Sequence, residues 1–478
     1  MRLKPDRPVL ARLALPATLS LLLLGLQGCS LAPTYKTPPI ALPDHFNQGG
    51  PWQAAAPADK LPQNWWTLYH DPRLNALQQR LSKANPDLAA ALAHYDAAQA
   101  YASQLHGNEL PLLTASGNSV RQRQSDNRPL RGDTQPSVYN SNTVGLNLDF
   151  DLDLWGRLRN QSAAGDAQAQ ASGDDLEVAR LSLQKQLTGL YLQLNGLDAQ
   201  QRILKNSLDA YTQALNLTRD RYQGQISSEL DLTRAQSQLA QAQAQLDDVS
   251  AQRHLTEHAI GELVGEPAST FRLAVLDQPL EVPSVPAELP STLLQRRPDI
   301  AAAERRVFAA NANIGVARAA FYPDFSLSGM LGGQTEGAGN LLSAGNRLWA
   351  IGPLINLPIF TGGRLEGARH QALAEFDEAS AHYRGQVLKA VREVEDNLSQ
   401  LRDLEREAAD QQAAVDAATQ SQTLAMNSYQ AGAVNYLDVV TAQTAALQAQ
   451  RLLQDVQTRR LQASAGLVVA LGGGWSQG

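Results

Sequence analysis

The stretch that decides the fold is VGLNLDFDLDL, at residues 144–154. Every second residue from Val144 onward is apolar, and Asp149, Asp151 and Asp153 stand at alternate positions. Because successive side chains of a β-strand point to opposite faces, the pattern predicts a strand with one apolar side and one acidic side. Carboxylates are costly in hydrocarbon, so the acidic side is expected to face water.

Three further segments, at residues 110–120, 325–331 and 349–360, predict weaker strands. The last of them contains Pro353 and Pro358, which cannot donate hydrogen bonds to a neighbouring strand. The chain therefore has four strand candidates, arranged as two pairs.

A very long helix is expected after each strand pair. Between residues 183 and 222 apolar residues recur with the four-then-three spacing of a helix that packs along one side, and residues 376–401 repeat the pattern. If it is continuous over residues 159–222, the first helix has 64 residues and is about 95 Å long at 1.5 Å per residue. A compact domain does not need such a rod.

The sequence contains an internal repeat. Over most of its length, matching residues of the two copies are 207 positions apart. Each repeat is predicted to contain a short helix, a strand pair, the long helix and a returning helix. The matching groups are Gly156-Arg157-Leu158 with Gly363-Arg364-Leu365, Tyr222-Gln223 with Tyr429-Gln430, Leu230-Asp231-Leu232 with Leu437-Asp438-Val439, and, at a slightly larger offset, Asn85-Pro86-Asp87-Leu88 with Arg297-Pro298-Asp299-Ile300.

These patterns divide the chain into five segments. The short helices are expected at 87–106 and 299–319 and the returning helices at 229–264 and 436–471, with Gly224 and Gly432 at the turns because glycine readily takes left-handed backbone angles. The five segments are a signal peptide at 1–28, an N-terminal extension at 29–84, the repeats at 85–290 and 291–472, and a flexible tail at 473–478.

The amino terminus has the order of a secretory signal. Basic residues precede an apolar run at 13–26, which is too short for a permanent membrane helix. Leu26-Gln27-Gly28-Cys29 then resembles a bacterial lipobox, in which cleavage exposes the cysteine for attachment of lipid. Cys29 is the only cysteine of the chain, which excludes a disulfide framework. We therefore expect an N-acyl and S-diacylglycerol lipid on Cys29, while Ser30 favours the outer membrane over the inner one.

Charge and hydropathy restrict the partners. Removal of residues 1–28 deletes four basic residues and one acid, which lowers the formal charge from −7 to −10 and argues against nucleic-acid binding.

No later segment has the roughly 18 consecutive apolar residues of a membrane helix, so any membrane crossing must use strands. Four strands cannot close a transmembrane barrel, for which about eight is the lower end. Two copies of the chain supply eight strands and three supply twelve, and a conducting lumen favours three copies.

Several stretches together resemble the outer membrane factor family, the lipoprotein exit ducts of tripartite resistance-nodulation-division efflux systems. They are Cys29 to Tyr35, Trp65-Trp66, Asp71-Pro72-Arg73-Leu74, Asn85-Pro86-Asp87-Leu88, the segment RRPDIAAAERRVFAANANIGVARAAFYPDFSLSG at 296–329, and PIFTGGRL at 358–365.

The resemblance implies an α+β membrane fold formed by a homotrimer. Each chain is expected to give four strands to a twelve-stranded outer-membrane β-barrel with Asp149, Asp151 and Asp153 in its lumen, continued by a periplasmic α-helical barrel. A periplasmic adaptor (membrane fusion protein) and an inner-membrane pump are the implied partners, and small molecules the implied cargo. Export of proteins by a type I secretion system remains an alternative.

In this family the helix turns narrow the periplasmic end of the duct. Leu437, with Leu230 at the matching position of the first repeat, is a candidate apolar plug, and Asp231 or Asp438 a candidate cation-attracting ring. Ordinary helix packing for Leu437 and helix capping for either aspartate are the alternatives.

The same turns are the implied adaptor contact. Gly224, Ser227, Gly432 and Ala433 are small enough to let another backbone approach closely.

No catalytic constellation is apparent in the sequence. His254 and His258 are spaced to share a helix face, but the zinc-protease glutamate next to the first histidine is missing, and no further ligand is evident. The glycines at 472–474 lack the Lys and Ser or Thr of a phosphate-binding loop. A passive conduit is therefore favoured over an enzyme, and a lipid-anchored coiled-coil envelope scaffold is the rival from another class.

Overall fold

The computed structural model describes residues 30–42, 62–127, 134, 136–276, 278–283, 296–337 and 339–475. The predicted signal peptide and Cys29 lie outside these ranges. The helices are α1 (Pro72–Ala84), α2 (Pro86–Gly107), α3 (Arg157–Gln223), α4 (Glu229–Leu263), α5 (Pro298–Ala319), α6 (Arg364–Gln430) and α7 (Tyr436–Ala470). The strands are β1 (Leu112–Arg123), β2 (Val138–Asp151), β3 (Asp324–Thr335) and β4 (Arg347–Asn356).

The internal repeat is confirmed by the element boundaries. Helices α3 and α6 each have 67 residues, and α4 and α7 each have 35. Both pairs start 207 positions apart, as the sequence offset predicts. At 1.5 Å per residue, α3 and α6 are about 100 Å long, slightly longer than expected.

The described residues fall into two compact units. The first comprises residues 30–38, 95–172 and 303–383 and contains the four-stranded sheet; the second comprises residues 39–42, 62–94, 173–302 and 384–475, within the described ranges. In the second unit the predicted apolar seam of α3 is buried, with Leu187, Leu194, Leu204 and Tyr211 at 3% exposure or less. Burial of this seam, rather than helix propensity, stabilises so long a helix.

The sheet is antiparallel throughout, in the order β1-β2-β3-β4. Strand β2 begins six residues earlier than predicted and ends at Asp151, so the expectation that Asp153 belongs to the strand was wrong. Instead, the Asp153 carboxylate accepts hydrogen bonds from the backbone N–H (2.9 Å) and Nε (3.3 Å) of Arg159 in the first turn of α3. The first N–H groups of a helix have no partner within the helix, and Asp153 supplies one for α3. Asp153 therefore belongs to the start of α3 and not to the strand.

Strand β4 also ends earlier than predicted, at Asn356. Pro358 has no N–H to donate, and the positive φ of Gly362 and Gly363 starts the turn into α6. Ile359 and Phe360, at 93% and 90% exposure, therefore lie beyond the strand.

The end of each returning helix binds the residue that directly precedes the short helix of the same repeat. The Asn85 amide donates to the carbonyl of Leu263 at 2.9 Å, and the Arg297 guanidinium donates to the carbonyl of Ala470 at 3.0 Å. These partners stand at matching places in the two repeats. Each satisfies a carbonyl that the helix end leaves without an intrahelical partner.

The segment expected to be a flexible tail is ordered in its first part. Gly472, Gly473 and Gly474 all have positive φ, and the N–H of Gly473 donates to the carbonyl of Val468 at 2.9 Å. A Cβ on Gly473 would collide with Leu181. The chain therefore stays packed against α3 to at least Gly473 because three glycines permit a left-handed turn that other residues do not.

Candidate functional site: a two-faced sheet and two helix turns

One face of the sheet is apolar across all four strands. Directly opposed residues of antiparallel strands share a face, and the register puts Ala115, Leu146, Leu331 and Trp349 in one row. The neighbouring rows are Leu113, Leu148, Gly329 and Ile351 on one side, and Gly117, Val144, Gly333 and Arg347 on the other. Trp349 is 73% exposed and Leu113 is 64% exposed, so these apolar side chains face outward.

The opposite face is mainly polar. Its polar members are Thr114, Ser116, Asn118, Gln122, Tyr139, Ser141, Thr143, Asn147, Asp149, Asp151, Asp324, Ser326, Ser328, Gln334 and Asn356. It is interrupted by apolar residues, namely Leu112, Val120, Met330, Leu348, Ala350 and Leu354. This two-sided pattern matches the alternation predicted for β2 and extends it to β1 and β3, whereas β4 has only Asn356 as a polar side chain on this face.

The three lumen candidates lie in different surroundings. Asp149 stands within β2 on the polar face, opposite Ser328 of β3. Asp151 is the last residue of β2 and forms an ion pair with Arg157 at 3.2 Å. Asp153 is outside the strand, as described above, so Asp149 is the candidate whose strand position fits the prediction best.

The two outer edges of the sheet are open. Strand β1 pairs with β2 alone and β4 with β3 alone among the described residues. Each edge therefore presents unpaired N–H and C=O groups, which are a template for further strand pairing.

The turns between the long and returning helices have the same backbone in both repeats. The N–H of Ile226 donates to the carbonyl of Arg221 at 2.8 Å, and the N–H of Ala433 donates to the carbonyl of Ser428 at 2.9 Å. These bonds are 207 positions apart and have the geometry of a helix end closed by a left-handed residue.

The expectation that Gly224 takes the left-handed position was wrong. Gln225 has that conformation, at φ 58°, and its counterpart in the second turn is Gly432, at φ 77°. The position is set by the helix-ending hydrogen bonds, and the first turn fills it with a residue that has a Cβ.

Tyr429 joins the two helix hairpins of the chain near these turns. Its ring is 3% exposed and lies under the Arg221 guanidinium, with 4.6 Å between the guanidinium carbon and the ring centroid. Arg221 also donates to the backbone carbonyl of Tyr429, and the Tyr429 hydroxyl lies 3.2 Å from Ser227 Oγ and donates to Thr218 Oγ1 at 3.3 Å. Residues from the first hairpin thus hold a tyrosine of the second.

Apolar packing surrounds this contact. Tyr436 lies edge-on to Tyr429, with ring centroids 5.4 Å apart, and burial raises the pKa of Tyr436 to about 12. The cluster also contains Ala214, Leu215, Ala235 and Val439. The Tyr436 hydroxyl therefore stays protonated over the ordinary pH range.

The four gate candidates differ in their contacts. Leu230 and Leu437 are 57% and 45% exposed. Asp231 accepts a hydrogen bond from Ser228 Oγ at 2.9 Å and lies 3.5 Å from Arg234, so it takes part in the start of α4. Asp438 is exposed, and its carboxylate has no partner among the residues that the structure describes. Their roles at a constriction stay predictions.

The adaptor candidates are mostly accessible. Gly224, Gly432 and Ala433 are exposed, whereas Ser227 is half-buried and contacts Tyr429. Ile226, beside them, is 71% exposed. Small residues and one large apolar side chain thus share the surface of the first turn.

The residues after Cys29 run along α5 in the first unit. Asn311 donates to the carbonyl of Pro33 at 2.8 Å, Tyr35 donates to Glu304 at 3.1 Å, and Ser30 Oγ donates to Asn160 at 3.0 Å. This strap fixes Ser30 beside the start of α3. Cys29 itself is outside the described residues, so its lipidation stays a prediction.

The described residues offer neither a metal site nor a membrane-spanning helix. Across the described ranges, no three His, Cys, Asp or Glu side chains are grouped so that they could hold a metal ion, and His254 and His258 are exposed. None of the described helices combines the length and hydropathy needed to cross a membrane.

Comparison with known proteins decides the family. The sequence profile of the family described as "Outer membrane efflux protein" matches residues 77–266 and 289–473. The chain belongs to this family. The two matched stretches correspond to the two repeats of this outer membrane efflux protein.

Other outer membrane efflux proteins are similar over nearly their whole length. The toluene efflux pump outer membrane protein TtgC of Pseudomonas putida is 31% identical over 457 residues, which cover 94% of this chain and 93% of TtgC. The outer membrane protein OprJ of Pseudomonas aeruginosa is 31% identical over 461 residues, covering 96% and 95%. The crystal structure of the CmeC outer membrane channel of Campylobacter jejuni superposes with a TM-score of 0.88 at 25% identity, covering 94% and 96%.

Family membership confirms the functional class predicted from sequence. This outer membrane efflux protein is an efflux channel of the outer membrane of a Gram-negative bacterium, not an enzyme. The conduit is thereby favoured over the envelope scaffold.

Sequence reasoning missed the contact between Arg221 and Tyr429. The available signal was a break in the repeat: Tyr222 and Tyr429 match, but Arg221 and Ser227 stand opposite Ser428 and Val434. Residues that depart from an otherwise regular repeat at a turn are candidates for contacts that only one hairpin makes.

Proposed function

We propose that three copies of the chain close a twelve-stranded barrel in the outer membrane, which conducts small molecules delivered by a pump. The open edges of β1 and β4 carry this proposal. Unpaired strand edges are not tolerated in lipid, and pairing β1 of one copy with β4 of the next removes all of them. Twelve strands leave a lumen, whereas eight are filled by side chains.

The two faces of the sheet support the same arrangement. The apolar face contacts lipid, and the polar face, with Asp149, lines the water-filled lumen. Asp149 from three copies makes a ring that attracts cations. Asp151 contributes less because Arg157 pairs with it.

The helices continue the barrel as a periplasmic tube, and lipid on Cys29 anchors each chain beside it. The strap from Ser30 to Tyr35 supports the anchor, since its hydrogen bonds hold the residue after Cys29 next to the first turns of α3. Lipid chains contribute roughly 0.8 kcal/mol per buried CH₂ to membrane attachment.

The gate lies at the helix turns. Leu230 and Leu437 narrow the entrance, Asp438 adds negative charge, and Asp231 mainly accepts a hydrogen bond from Ser228, the N-cap residue of α4. The contact between Arg221 and Tyr429 holds the two hairpins of one chain together in the narrow state. Opening requires this contact to break.

The adaptor binds the turns, where Gly224, Gly432 and Ala433 allow close backbone approach and Ser227 lies beside them. The adaptor in turn connects the duct to an inner-membrane pump, which supplies the energy. The cargo class is small molecules, in keeping with relatives named for toluene efflux and pyoverdine export.

The barrel is tested by a matched pair of charge insertions. Leu146→Arg puts a cation on the apolar face and is expected to prevent insertion, since arginine at the membrane midplane costs about 2–4 kcal/mol. Asn147→Arg puts the same charge on the polar face, so trimers should insert and show altered ion selectivity. Heat-resistant trimers on gels and single-channel conductance in planar bilayers are the measurements. Equal behaviour of the two variants, or a non-conducting monomer, would contradict the proposal.

The gate is tested by conductance of two variants. Leu437→Ala combined with Asp438→Ala should raise single-channel conductance, and Arg221→Ala should raise the fraction of time spent open. Arg219→Ala, two residues away on α3, is the matched control and should leave both unchanged. Unchanged conductance in the first variant would remove Leu437 and Asp438 from the constriction.

A further inference from the structure

Arginines stand on the apolar face of the sheet, at the end remote from the helices. Arg121 and Arg123 of β1 alternate in phase with Leu113 and Ala115, so they belong to the apolar face. Arg347 of β4 shares a row with Val144 of that face. Because Arg121 pairs with Asn140, beyond Val144 along β2, all three arginines lie toward the hairpin loops.

The apolar band below these arginines has the height of a membrane. From Phe325 to Gly333, β3 advances eight residues, about 27 Å along the strand at 3.4 Å per residue. A tilt of 35–45° reduces the vertical rise to about 20 Å, close to the roughly 25 Å band of outer-membrane barrels.

Aromatic residues mark both limits of the band. Trp349 lies two residues along β4 from Arg347 on the same face. At the other limit, Trp155 and Tyr322 stack with 4.9 Å between their ring centroids, just before β3 begins. Aromatic girdles of this kind occupy the two membrane interfaces. The arginines therefore lie at the interface on the hairpin-loop side.

These arginines are little neutralised. Arg121 and Arg347 are exposed, and neither forms an ion pair within the described part of the chain. Arg123 lies 3.7 Å from Asp126, an exposed pair whose contribution is small. Positive charge is thus available where lipid headgroups begin.

The two strands that carry the arginines are the two open edges of the sheet. Closure of the proposed barrel pairs β1 of one copy with β4 of the next, with about 5 Å between the paired strands. Each junction between copies therefore places the strand that carries Arg121 and Arg123 beside the neighbouring copy's strand that carries Arg347, with all three arginines on the lipid-facing surface.

We propose that each junction binds the phosphate groups of the phosphorylated glycolipid in the outer leaflet of the outer membrane. This inference rests on the proposed barrel. A guanidinium presents N–H donors in a fork that matches phosphate oxygens. The apolar rows below the arginines receive the acyl chains, so headgroup and tails are recognised together, three sites to a trimer.

The test measures which lipid stays with the purified trimer. Full-length protein is reconstituted in nanodiscs of phosphatidylethanolamine with bis-phosphorylated lipid A, or with its dephosphorylated form, then extracted and analysed by native mass spectrometry. Wild-type trimers should retain the phosphorylated form preferentially. Arg121→Gln with Arg347→Gln should reduce this retention roughly tenfold, because two cations near an anionic lipid surface are lost.

Arg384→Gln, which removes an exposed arginine of α6, is the matched control and should retain lipid as the wild type does. Equal retention of the dephosphorylated form or equal retention by the double variant would each overturn the proposal. Vesicle flotation and conductance are measured first. A chain that fails to insert there would refute the barrel itself, whereas an inserted, conducting trimer without lipid preference would refute only the glycolipid site.

Discussion

The two helix hairpins of the chain have one backbone and different side-chain chemistry. Helices α3 and α4 match α6 and α7 in length, and the turns close with the same hydrogen bonds. Yet the left-handed residue is Gln225 in one turn and Gly432 in the other. A repeat can therefore keep its main-chain geometry while each copy finds its own means of stabilising it.

The caps of the returning helices show the same divergence. In the first repeat a neutral amide, Asn85, binds the carbonyl of Leu263, whereas in the second the charged Arg297 binds that of Ala470. Arg297 also contacts Asp299 at 2.6 Å and Glu393 at 2.8 Å. The equivalent carbonyl at the end of the returning helix thus accepts a hydrogen bond from a neutral amide in the first repeat. In the second repeat it accepts one from a guanidinium that also forms ion pairs.

Among the described residues, the buried ion cluster around Arg253 in the first repeat has no counterpart at the matching positions of the second. Arg253 contacts Asp198 at 2.6 Å and Glu257 at 3.5 Å, and both carboxylates are nearly inaccessible. The carboxylates also accept the backbone N–H groups of Leu276 and Leu273. The cluster thereby fixes the segment after α4 against α3 and α4. The counterparts of the three residues at the 207 offset are Glu405, Arg460 and Ser464, which cannot form the same cluster.

The largest effect should come from breaking this cluster. Arg253→Met leaves Asp198 and Glu257 buried without their cation, which should lower the free energy of unfolding by about 3–5 kcal/mol. Thermal unfolding followed by tryptophan fluorescence measures it. Arg460→Met is the matched control at the second repeat and should cost less than about 1 kcal/mol, because the half-buried Arg460 forms no ion pair with a described residue, so its removal leaves no carboxylate without a cation. Equal losses would mean that the repeats do not differ here.

The caps should give the next largest effect, with a pH dependence in one repeat. Arg297→Gln should destabilise by about 2–3 kcal/mol, as expected for hydrogen bonds to charged groups, and Asn85→Ala by about 1 kcal/mol. Burial alone would raise the pKa of Asp299, but hydrogen bonds from Arg297 and Gln386 and the charge of Arg297 outweigh it, so this pKa is lowered.

A lowered pKa stabilises the folded state above the ordinary value of about 4, and that contribution is lost as the pH falls through the lowered pKa. The difference in stability between wild type and Arg297→Gln should therefore shrink on acidification, while that for Asn85→Ala should not. Unfolding curves over an acid pH series measure both. A pH-independent difference for Arg297→Gln would contradict this account.

The turns should respond in opposite directions. Gly432→Ala puts a Cβ at a left-handed position and should destabilise by about 1 kcal/mol, whereas Gln225→Gly removes one and should be neutral or stabilising by up to about 1 kcal/mol. The readout is the dissociation temperature, in detergent, of the trimer proposed above. Gly224→Ala, which has no positive φ, serves as the control and should change little. A loss of stability in Gln225→Gly would show that Gln225 makes a contact worth more than its strain.

The smallest effect concerns His106 at the end of α2. The hydrogen bond and charge of Asp166, at 3.0 Å, and the weaker influence of Glu109 raise the pKa of His106 above its ordinary value. A histidine whose pKa is raised in the folded state contributes its full stabilisation below the ordinary pKa. That contribution is lost as the pH rises through the raised pKa. The gap in dissociation temperature between wild type and His106→Gln should therefore be present near pH 5 and absent near pH 9. A gap that grows with pH would have the wrong sign for this contact.

Much of the fold follows from patterns that act locally. The alternation around Val144 predicted β2 because side chains of a strand point to opposite faces whatever it pairs with. The four-then-three spacing predicted the long helices, and the offset of 207 predicted that both hairpins share one geometry. The functional class followed from motifs spread over the whole chain, which the family comparison confirms.

Competition between neighbours explains what the patterns could not predict. Asp153 continues the alternation of β2 but binds the N-terminal turn of α3 instead, because a helix start offers unpaired N–H groups. Glycine is the residue type that most often takes the left-handed position at a helix end. At the end of α3, however, the hydrogen bonds of the turn place Gln225 there and not Gly224. The conformation of such a residue depends on which of the two neighbouring elements it forms hydrogen bonds with.

Sequence by itself determined the kinds of elements, their order, their duplication and the two-sided character of β2, because periodicity is a property of adjacent residues. Only the tertiary structure decided the register of the four strands, which extends the apolar face to Arg121 and Arg347, and the burial of Tyr429 by Arg221. Pairing register and contacts between distant helices join residues many positions apart, and no local period encodes them.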